Sequence, residues 1–451
     1  MVVVPDAAIA TPDAAAERGA VTWEEPRPAK QLRGGMITAI GVVYIGMMAL
    51  LGLAAMNSQV NLLFAVFGLM IGALLVSGVI GRIMLRRLVV RREMPEVAEV
   101  GRRARIVYRV RNRKRFWPTL SVTLRELEAG GPGERFDRQP TAYLLHAPPG
   151  AEAIATAEVV PLARGWVRFD RHQLTTSFPF GFVRRSLVRR KLPDRLLVHP
   201  PPGAVEPTSV LRFLSAESSG LAQRPRSGGN DELFGARDYQ PGDALRNIHW
   251  RRSARTLMLR SPDKPHGSLV VRQMTRVSPP RLVVLVDTFA AADDDGEARR
   301  RSLGQVERNI AAAYNLLGAM LGRGLSVGML VFDPTLAPNN GDAAGGWREF
   351  RAGSGKRHRR DLAAVLAELR PQDRHPTADL VDRGRPLVTG DTTGVLVTAG
   401  GDAEPDAADR AGVRRVGRSN LVTIRTAEAS LDRWVRFDDA LDWEAMAARV
   451  R

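Results

Sequence analysis

Two long runs without a single charge, residues 36–56 and 60–80, constrain this chain more than anything else in it. Each is long enough to carry a helix across the roughly 30 Å of hydrocarbon in a bilayer. Asn57-Ser58-Gln59 between them leaves room only for a tight turn, so the pair predicts a two-helix transmembrane hairpin over residues 36–83. Lys30 and Arg33 precede the first run, Arg82, Arg86, Arg87, Arg91 and Arg92 follow the second, and the turn is uncharged. Basic residues stay on the cytoplasmic side, so a two-pass protein of the cell membrane is expected, with both termini and the globular mass cytoplasmic. Gly68 and Gly72 in Gly68-Leu69-Met70-Ile71-Gly72 place small residues four apart, a common helix-packing pattern. Residues 1–33, rich in Ala, Pro and Glu without apolar periodicity, read as a disordered cytoplasmic tail. They are not a signal peptide, because their basic cluster, Arg27, Lys30 and Arg33, comes at the end of the stretch rather than at its start.

The 451 residues have room for two or three domains. Lys plus Arg number 66 against 48 Asp plus Glu, a net charge of +18 that is compatible with nucleic acid, anionic lipid or acidic proteins as partners. Attraction of the arginines after the second run to anionic headgroups accounts for much of that excess. The absence of cysteine excludes disulfides, Cys-ligated zinc and a thiol nucleophile.

Residues 90–200 read as short strands separated by Gly and Pro clusters. Arg105-Ile106-Val107-Tyr108-Arg109-Val110-Arg111 alternates polar and apolar, and 120–127, 155–161, 165–169 and 195–199 are further candidates. Such spacing suggests an all-β sandwich-like domain. No catalytic cluster stands out there. Arg111-Asn112-Arg113-Lys114-Arg115-Phe116-Trp117 has the charge and rings to touch RNA, but a solvated hairpin loop near the membrane is the simpler reading.

Residues 201–280 form a linker that carries the densest chemistry of the chain, from Gly229 to Arg255. Gln240-Pro241-Gly242-Asp243 is a turn signal. Asp243 is placed to cap the run 244–250 that follows. Asp231, Asp238 and Asp243 face Arg237, Arg246, Arg251, Arg252 and Arg255, with Tyr239, His249, Trp250 and Ser253 among them. Arg246 and His249 are spaced i, i+3, and Arg251 and Arg255 i, i+4, so each pair shares a face in a helix. The bland reading is a staple of Asp–Arg pairs; the sharper one is a partner-binding surface or a reactive site.

Residues 281–451 follow another grammar. Arg281-Leu282-Val283-Val284-Leu285-Val286-Asp287 is an apolar strand ending in an aspartate, followed by a helix over 305–321 and a strand over 327–332. A helix over 360–369, a strand over 394–397, a helix near 407–413, a strand over 421–424 and a helix from about 441 complete the series. Apolar strands alternating with helices predict a parallel sheet covered on both faces. Asp287, Asp333 and Thr398 then lie along the rim at the strands' C-terminal ends.

Taken together, Phe178-Pro179-Phe180-Gly181-Phe182-Val183-Arg184-Arg185, Val198-His199-Pro200 and Arg237-Asp238-Tyr239-Gln240-Pro241-Gly242-Asp243 through Ile248-His249-Trp250 resemble the domain-of-unknown-function 58 family of bacterial membrane proteins. Asn61-Leu62-Leu63-Phe64 and Met94-Pro95-Glu96 extend the resemblance from about residue 36 to the end. The family has no established reaction. Its members commonly occur beside MoxR-type AAA+ ATPases and transglutaminase-like membrane proteins, and its C-terminal half is similar to a von Willebrand factor A domain. The resemblance therefore implies a multidomain chain: a transmembrane hairpin, a β-sandwich-like domain and an α/β von Willebrand factor A-like (Rossmann-like) domain over 281–451.

Domains of that last kind usually hold Mg²⁺ through Asp-x-Ser-x-Ser and a later Thr and Asp, because a hard cation wants oxygen ligands. Here the first element reads Asp287-Thr288-Phe289-Ala290-Ala291 and the later one Thr398-Ala399-Gly400, with Asp402 nearby. The metal site is degenerate, no cofactor is expected, and Asp293-Asp294-Asp295 reads as a solvated acidic loop.

The expected function is a membrane-anchored, non-catalytic interaction or scaffold protein. It would work with the bilayer, an ATPase of that type and a transglutaminase-like protein in cell-envelope or protein-assembly processes. One alternative is an enzyme centred on Asp231, Asp238, Asp243 and His249, with Ser253 the nearby hydroxyl. The other, nucleic-acid binding, rests on charge alone and lacks a recognisable reading module.

Overall fold

The first apolar run does not begin as a helix. The computed structural model describes residues 32–127, 135–206, 227–241, 243, 245–258, 269–275, 281–290, 296–336, 346–388, 392–399, 414–415, 421–426 and 434–450. In it, Leu32–Ile37 form strand β1, and helix α1 spans Ala39–Ser58. This corrects the helix start expected at 36 and the tail boundary at 33. Thr38, in extended conformation, ends the strand, and its Oγ1 accepts the Gly41 N–H at 3.0 Å as an N-cap. Helix α2 spans Asn61–Met84, and Gln59 at φ 52 turns the chain between the two. Only Gly41, Gly52 and Ala55 of α1 and Ser77, Gly81 and Met84 of α2 are buried, so nearly all the apolar side chains face outward and the hairpin could span a membrane. The helices meet where Gly52 packs on Phe67 and Tyr44 Oη donates to Met70 O at 3.1 Å. Gly68 and Gly72, the expected packing pair, face open space.

The chain divides into two units, the first being Met1–Ala98, Arg102–Leu162 and Trp166–Leu196. The second comprises Glu99–Gly101, Ala163–Gly165 and Leu197–Arg451.

After the hairpin come strands β2 (Leu88–Glu93), β3 (Ala98–Glu99), β4 (Ala104–Asn112), β5 (Thr119–Leu127), β6 (Thr141–Ala147), β7 (Glu152–Val159), β8 (Gly165–Thr176) and β9 (Val183–His199). They form a sheet ordered β1-β9-β8-β5-β6, with β3 also on β9, and a second ordered β2-β4-β7. The alternation read in 105–111 is the burial pattern of β4, whose Ile106, Tyr108 and Val110 are core. Strands β1, β2, β3 and β6, and β9 before residue 195, were not among the strands picked out in the sequence. Within this core the Arg92 guanidinium forks onto Glu126 at 2.7 and 2.9 Å and reaches Asp194 at 2.9 Å. Burial pushes the Glu126 carboxyl up while Arg92 pulls it back.

Two further contacts hold the hairpin to the strands of the first unit. Lys114 Nζ donates to Ile83 O at 3.2 Å and Met84 O at 3.1 Å, capping the orphan carbonyls of α2 with a cation at the negative end of its dipole. At the other helix, Thr38 donates from N–H to Phe182 O at 3.0 Å and from Oγ1 to Gly181 O at 2.6 Å. Tyr44 stacks on Phe182 with ring centroids 3.9 Å apart.

The second unit adds β10 (Ala204–Val205), β11 (Ser227–Asp238), helix α3 (Trp250–Met258), β12 (Val270–Thr275), β13 (Arg281–Val286), α4 (Gly296–Gly322), β14 (Ser326–Phe332), β15 (Trp347–Gly353), α5 (Lys356–Glu368), α6 (Thr377–Gly384), β16 (Thr392–Thr398), β17 (Arg414–Arg415), β18 (Leu421–Arg425), β19 (Val435–Arg436) and α7 (Trp443–Val450). Its main sheet runs β15-β14-β13-β16-β18-β17. Strands β13, β14, β16 and β18 are parallel as expected, but both edges, β15 and β17, are antiparallel. Alternate residues of β13 serve opposite faces: Leu282, Val284 and Val286 pack with α4 and α5, and Leu285 packs with Leu380 of α6. That two-sided burial is why the strand reads as an unbroken apolar run. Gly304, inside α4, is where α7 comes close, since an added Cβ would sit 3.2 Å from the Glu444 nitrogen. The unit's deepest charge pair joins distant parts of the chain. Arg164 donates to Glu307 at 2.9 Å and, through both Nη atoms, to Leu369 O at 2.8 and 2.7 Å.

Residues 1–31, Asp293-Asp294-Asp295, Asp402 and the helix expected near 407–413 lie outside the described residues.

Candidate functional site

The signature segment is built on the antiparallel pair β11–β12, in register Arg237↔Val271 and Asp238↔Val270. The Tyr239 N–H continues the ladder to Leu269 O at 2.7 Å. The chain then turns, and the Asp243 N–H returns to Gln240 O at 3.0 Å with Pro241 at the position whose dihedral the turn needs fixed. Gly242 lies outside the described residues. Asp243 does not cap the run that follows, as the sequence suggested. Its carboxylate points back, with Oδ1 accepting Arg237 Nη2 at 2.6 Å and Oδ2 accepting the Gln240 N–H at 3.0 Å. The Arg237 hydrogen bond, helped by the Gln240 N–H, holds this carboxyl below the usual range. Both side chains keep part of their surface in water, so the pair is a surface lock rather than a buried staple.

Beyond the turn, Leu245–Asn247 form one 3₁₀ turn and Ile248 bridges to Val271 with 3% of its surface exposed. The His249 N–H donates to Val270 O at 2.7 Å. His249 is then the cap of α3: its carbonyl accepts the Arg252 and Ser253 N–H groups at 2.9 Å, and Nδ1 accepts from Arg252 N–H at 3.3 Å. Ser253 is buried, and its Oγ accepts the Val270 N–H at 2.8 Å. The structure thus brings His249 and Ser253 onto the same strand residue without pairing them as base and nucleophile.

Burial on one side leaves a second set outside. Leu245 is 66% and Trp250 62% exposed, and Asp238, Arg246, Arg251, Arg252 and Arg255 are exposed around them. Tyr239 is half-buried, and only the backbone of Asp231 is described. Of the Asp–Arg pairs expected within this motif, Arg237–Asp243 is present at 2.6 Å.

A separate polar centre lies at the C-terminal ends of the parallel strands, at the point where the chain steps from β13 to either side. Asp287 is buried there, as are Thr288, Asp333 and Thr398. Asp287 Oδ2 accepts Thr398 Oγ1 at 2.6 Å and Thr377 Oγ1 at 2.7 Å, and Oδ1 accepts the Phe289 N–H at 3.0 Å. Thr288 Oγ1 turns away to Phe332 O at 3.3 Å. Asp333 is satisfied separately, by Thr335 Oγ1 at 2.6 Å and by Arg348 Nε at 3.2 Å. Among the described residues the centre thus offers one carboxylate and two hydroxyls that already donate to it, beside the carbon side chains of Phe289 and Ala290. Thr377 was missed in the sequence because it opens α6, a helix of only eight residues that the reading did not pick out.

No protein family's profile and no curated protein match this chain. Among solved structures it is similar to the GH20 exo-β-N-acetylglucosaminidase from Vibrio harveyi, at 10% identity and a TM-score of 0.14, over 77% of this chain and 64% of that one. A likeness of that size carries no argument about fold or function.

Proposed function

We propose that this chain is a membrane-anchored interaction platform whose signature segment is its partner-facing surface. One observation carries the reading: Trp250, 62% exposed, stands on a short helix whose other side is tied to β12 through His249 and Ser253. Exposed Trp and Arg on a rigid frame are the residue types that concentrate binding energy at protein interfaces. Arg246, Arg251 and Arg255 give the surface a positive rim, which suits an acidic partner. The two outward-facing apolar helices support a bilayer anchor, and the arginines flanking them support a cytoplasmic placement of both units.

On this reading the chain is a member of the domain-of-unknown-function 58 family, with a β-sandwich-like first unit and a von Willebrand factor A-like second unit. Its partners are a MoxR-type AAA+ ATPase and a transglutaminase-like membrane protein. The Asp287 centre works without a metal, as a structural latch between β13, α6 and β16.

Purification of the full chain from native membranes in mild detergent tests this, with wild type compared against Trp250→Ala and Arg251→Glu. The expected result is an AAA+ ATPase recovered with wild type and lost with both variants. Recovery of lipid alone, or of the same ATPase with all three chains, contradicts the assignment of this surface.

A further inference from the structure

The first unit has exposed aromatic rings in two loops, and both loops are fastened to the ends of the hairpin. In the loop after β4, Phe116 is 74% and Trp117 51% exposed. That loop cannot drift from α2, because Lys114 is bonded to the last carbonyls of the helix and the Arg113 N–H donates to Arg87 O at 2.9 Å. In the loop before β9, Phe180 is 50% exposed. There Gly181 O and Phe182 O receive the Thr38 donors at the start of α1. The helices are antiparallel, as the Gly52–Phe67 and Tyr44–Met70 contacts require, so the start of α1 and the end of α2 lie at the same end of the hairpin. Both loops therefore sit at one level, beside the place where the helices leave the apolar layer.

The chemistry of these loops matches that level. Trp and Phe are amphipathic or apolar rings of the kind that occupy the headgroup boundary. Arg113, Arg115 and Arg184 are exposed among them, and Arg115 lies over the Phe116 ring at 5.1 Å. Guanidinium groups close to a membrane surface are drawn to anionic headgroups. We infer that Phe116, Trp117 and Phe180, with these three arginines, form a collar that seats the first unit in the headgroup layer of an anionic phospholipid membrane. Their exposure is exposure to lipid rather than to water, and the unit is held against the bilayer rather than swinging from it. The inference rests on the hairpin spanning the membrane, and the test separates the two.

The chain has no cysteine, so a single introduced one can be spin-labelled without ambiguity. The full chain is reconstituted into vesicles of phosphatidylcholine and phosphatidylglycerol and labelled at Phe116→Cys or Phe180→Cys, two independent loops that tolerate a label because each ring is at least half exposed. Collision of the label with a water-soluble nickel chelate and with oxygen gives its depth. Glu158→Cys is the aqueous reference, paired with Arg105 at the end of β4–β7 remote from Asn112, and Leu50→Cys is the bilayer reference on α1. The expected result is nickel accessibility several-fold lower at 116 and 180 than at 158, with 50 the least accessible. Accessibility at 116 and 180 equal to that at 158, while 50 is protected, overturns the collar alone. An accessible label at 50 overturns the spanning reading as well. In vesicles of phosphatidylcholine only, the collar sites become more accessible to nickel; unchanged depth there overturns the role given to the arginines.

Discussion

Asp287 and Ser253 show how single polar groups hold this molecule. Each is buried, and each accepts from specific donors: Asp287 from the Thr377 and Thr398 hydroxyls, Ser253 from the Val270 N–H. Replacing Ser253 by Ala leaves a buried N–H without its acceptor, at a cost of about 1–3 kcal/mol. Thr398→Val keeps the shape but removes a hydrogen bond to a charged carboxylate, about 1.5–3 kcal/mol. Urea unfolding of the purified chain measures both, and a loss indistinguishable from zero in either would contradict the geometry. Asp243 differs because water reaches it. Its carboxyl is held low by Arg237, so as pH falls the unfolded chain takes up the proton first. The turn's contribution is therefore fully present above the ordinary Asp range, near pH 3.9, and is lost as pH drops below it through the native value. Amide exchange at Gln240 reports this lock directly. It should accelerate in Asp243→Ala at neutral pH while global unfolding barely moves.

At the scale of elements, the end of α2 is the most instructive. Its terminal carbonyls have no helical partners, and the cation that satisfies them comes from a loop some thirty residues on, Lys114, whose bonds span sequence separations of 30 and 31. Burial pushes the Lys114 ammonium down to about 8. The unfolded chain keeps its proton to about 10.4, so between those values it binds more protons than the native state. Stability from this group therefore rises with pH across that window and is flat below it. The gap in melting temperature between wild type and Lys114→Met should shift in favour of wild type from pH 7.5 to 9.5, as scanned in detergent. A pH-independent gap would mean that the ammonium is not buried as described. The strands show the converse. Helix α1 and β13 were readable as elements, but β1 was hidden, because its six residues straddle the expected tail and the start of the first apolar run, and Gly34-Gly35 carries no strand pattern until β9 pairs with it.

At the scale of a whole unit, cohesion of the second one draws on contacts between residues far apart in sequence. Arg164 meets Glu307 and Leu369 across separations of 143 and 205 residues, with both charged side chains sealed from water. Burial raises the Glu307 carboxyl while Arg164 opposes that. Arg164→Ala strands a buried carboxylate and should cost about 3–5 kcal/mol in denaturant unfolding, whereas the apolar pair Arg164→Met with Glu307→Leu should recover most of it. If the single and double variants unfold alike, the pair is not the joint described here. The same logic applies to the anchor. A hairpin with its apolar residues outward favours apolar surroundings, so these two helices could span a membrane.

Composition and periodicity were enough for whatever is local. Two uncharged runs of spanning length, the alternation of β4, the solid apolar run of β13 and the turn at Pro241 each follow from residues within a few positions of one another. The sequence also placed Asp287, Asp333 and Thr398 on one rim, since strand ends can be counted from the pattern. It could not say that Asp243 turns back to Arg237, that Thr377 joins Asp287, or that Lys114 closes α2. Nor could it foresee antiparallel strands at both edges of the second unit's sheet. Those depend on which distant donor reaches a buried acceptor, and only the folded chain brings them within a hydrogen bond's length.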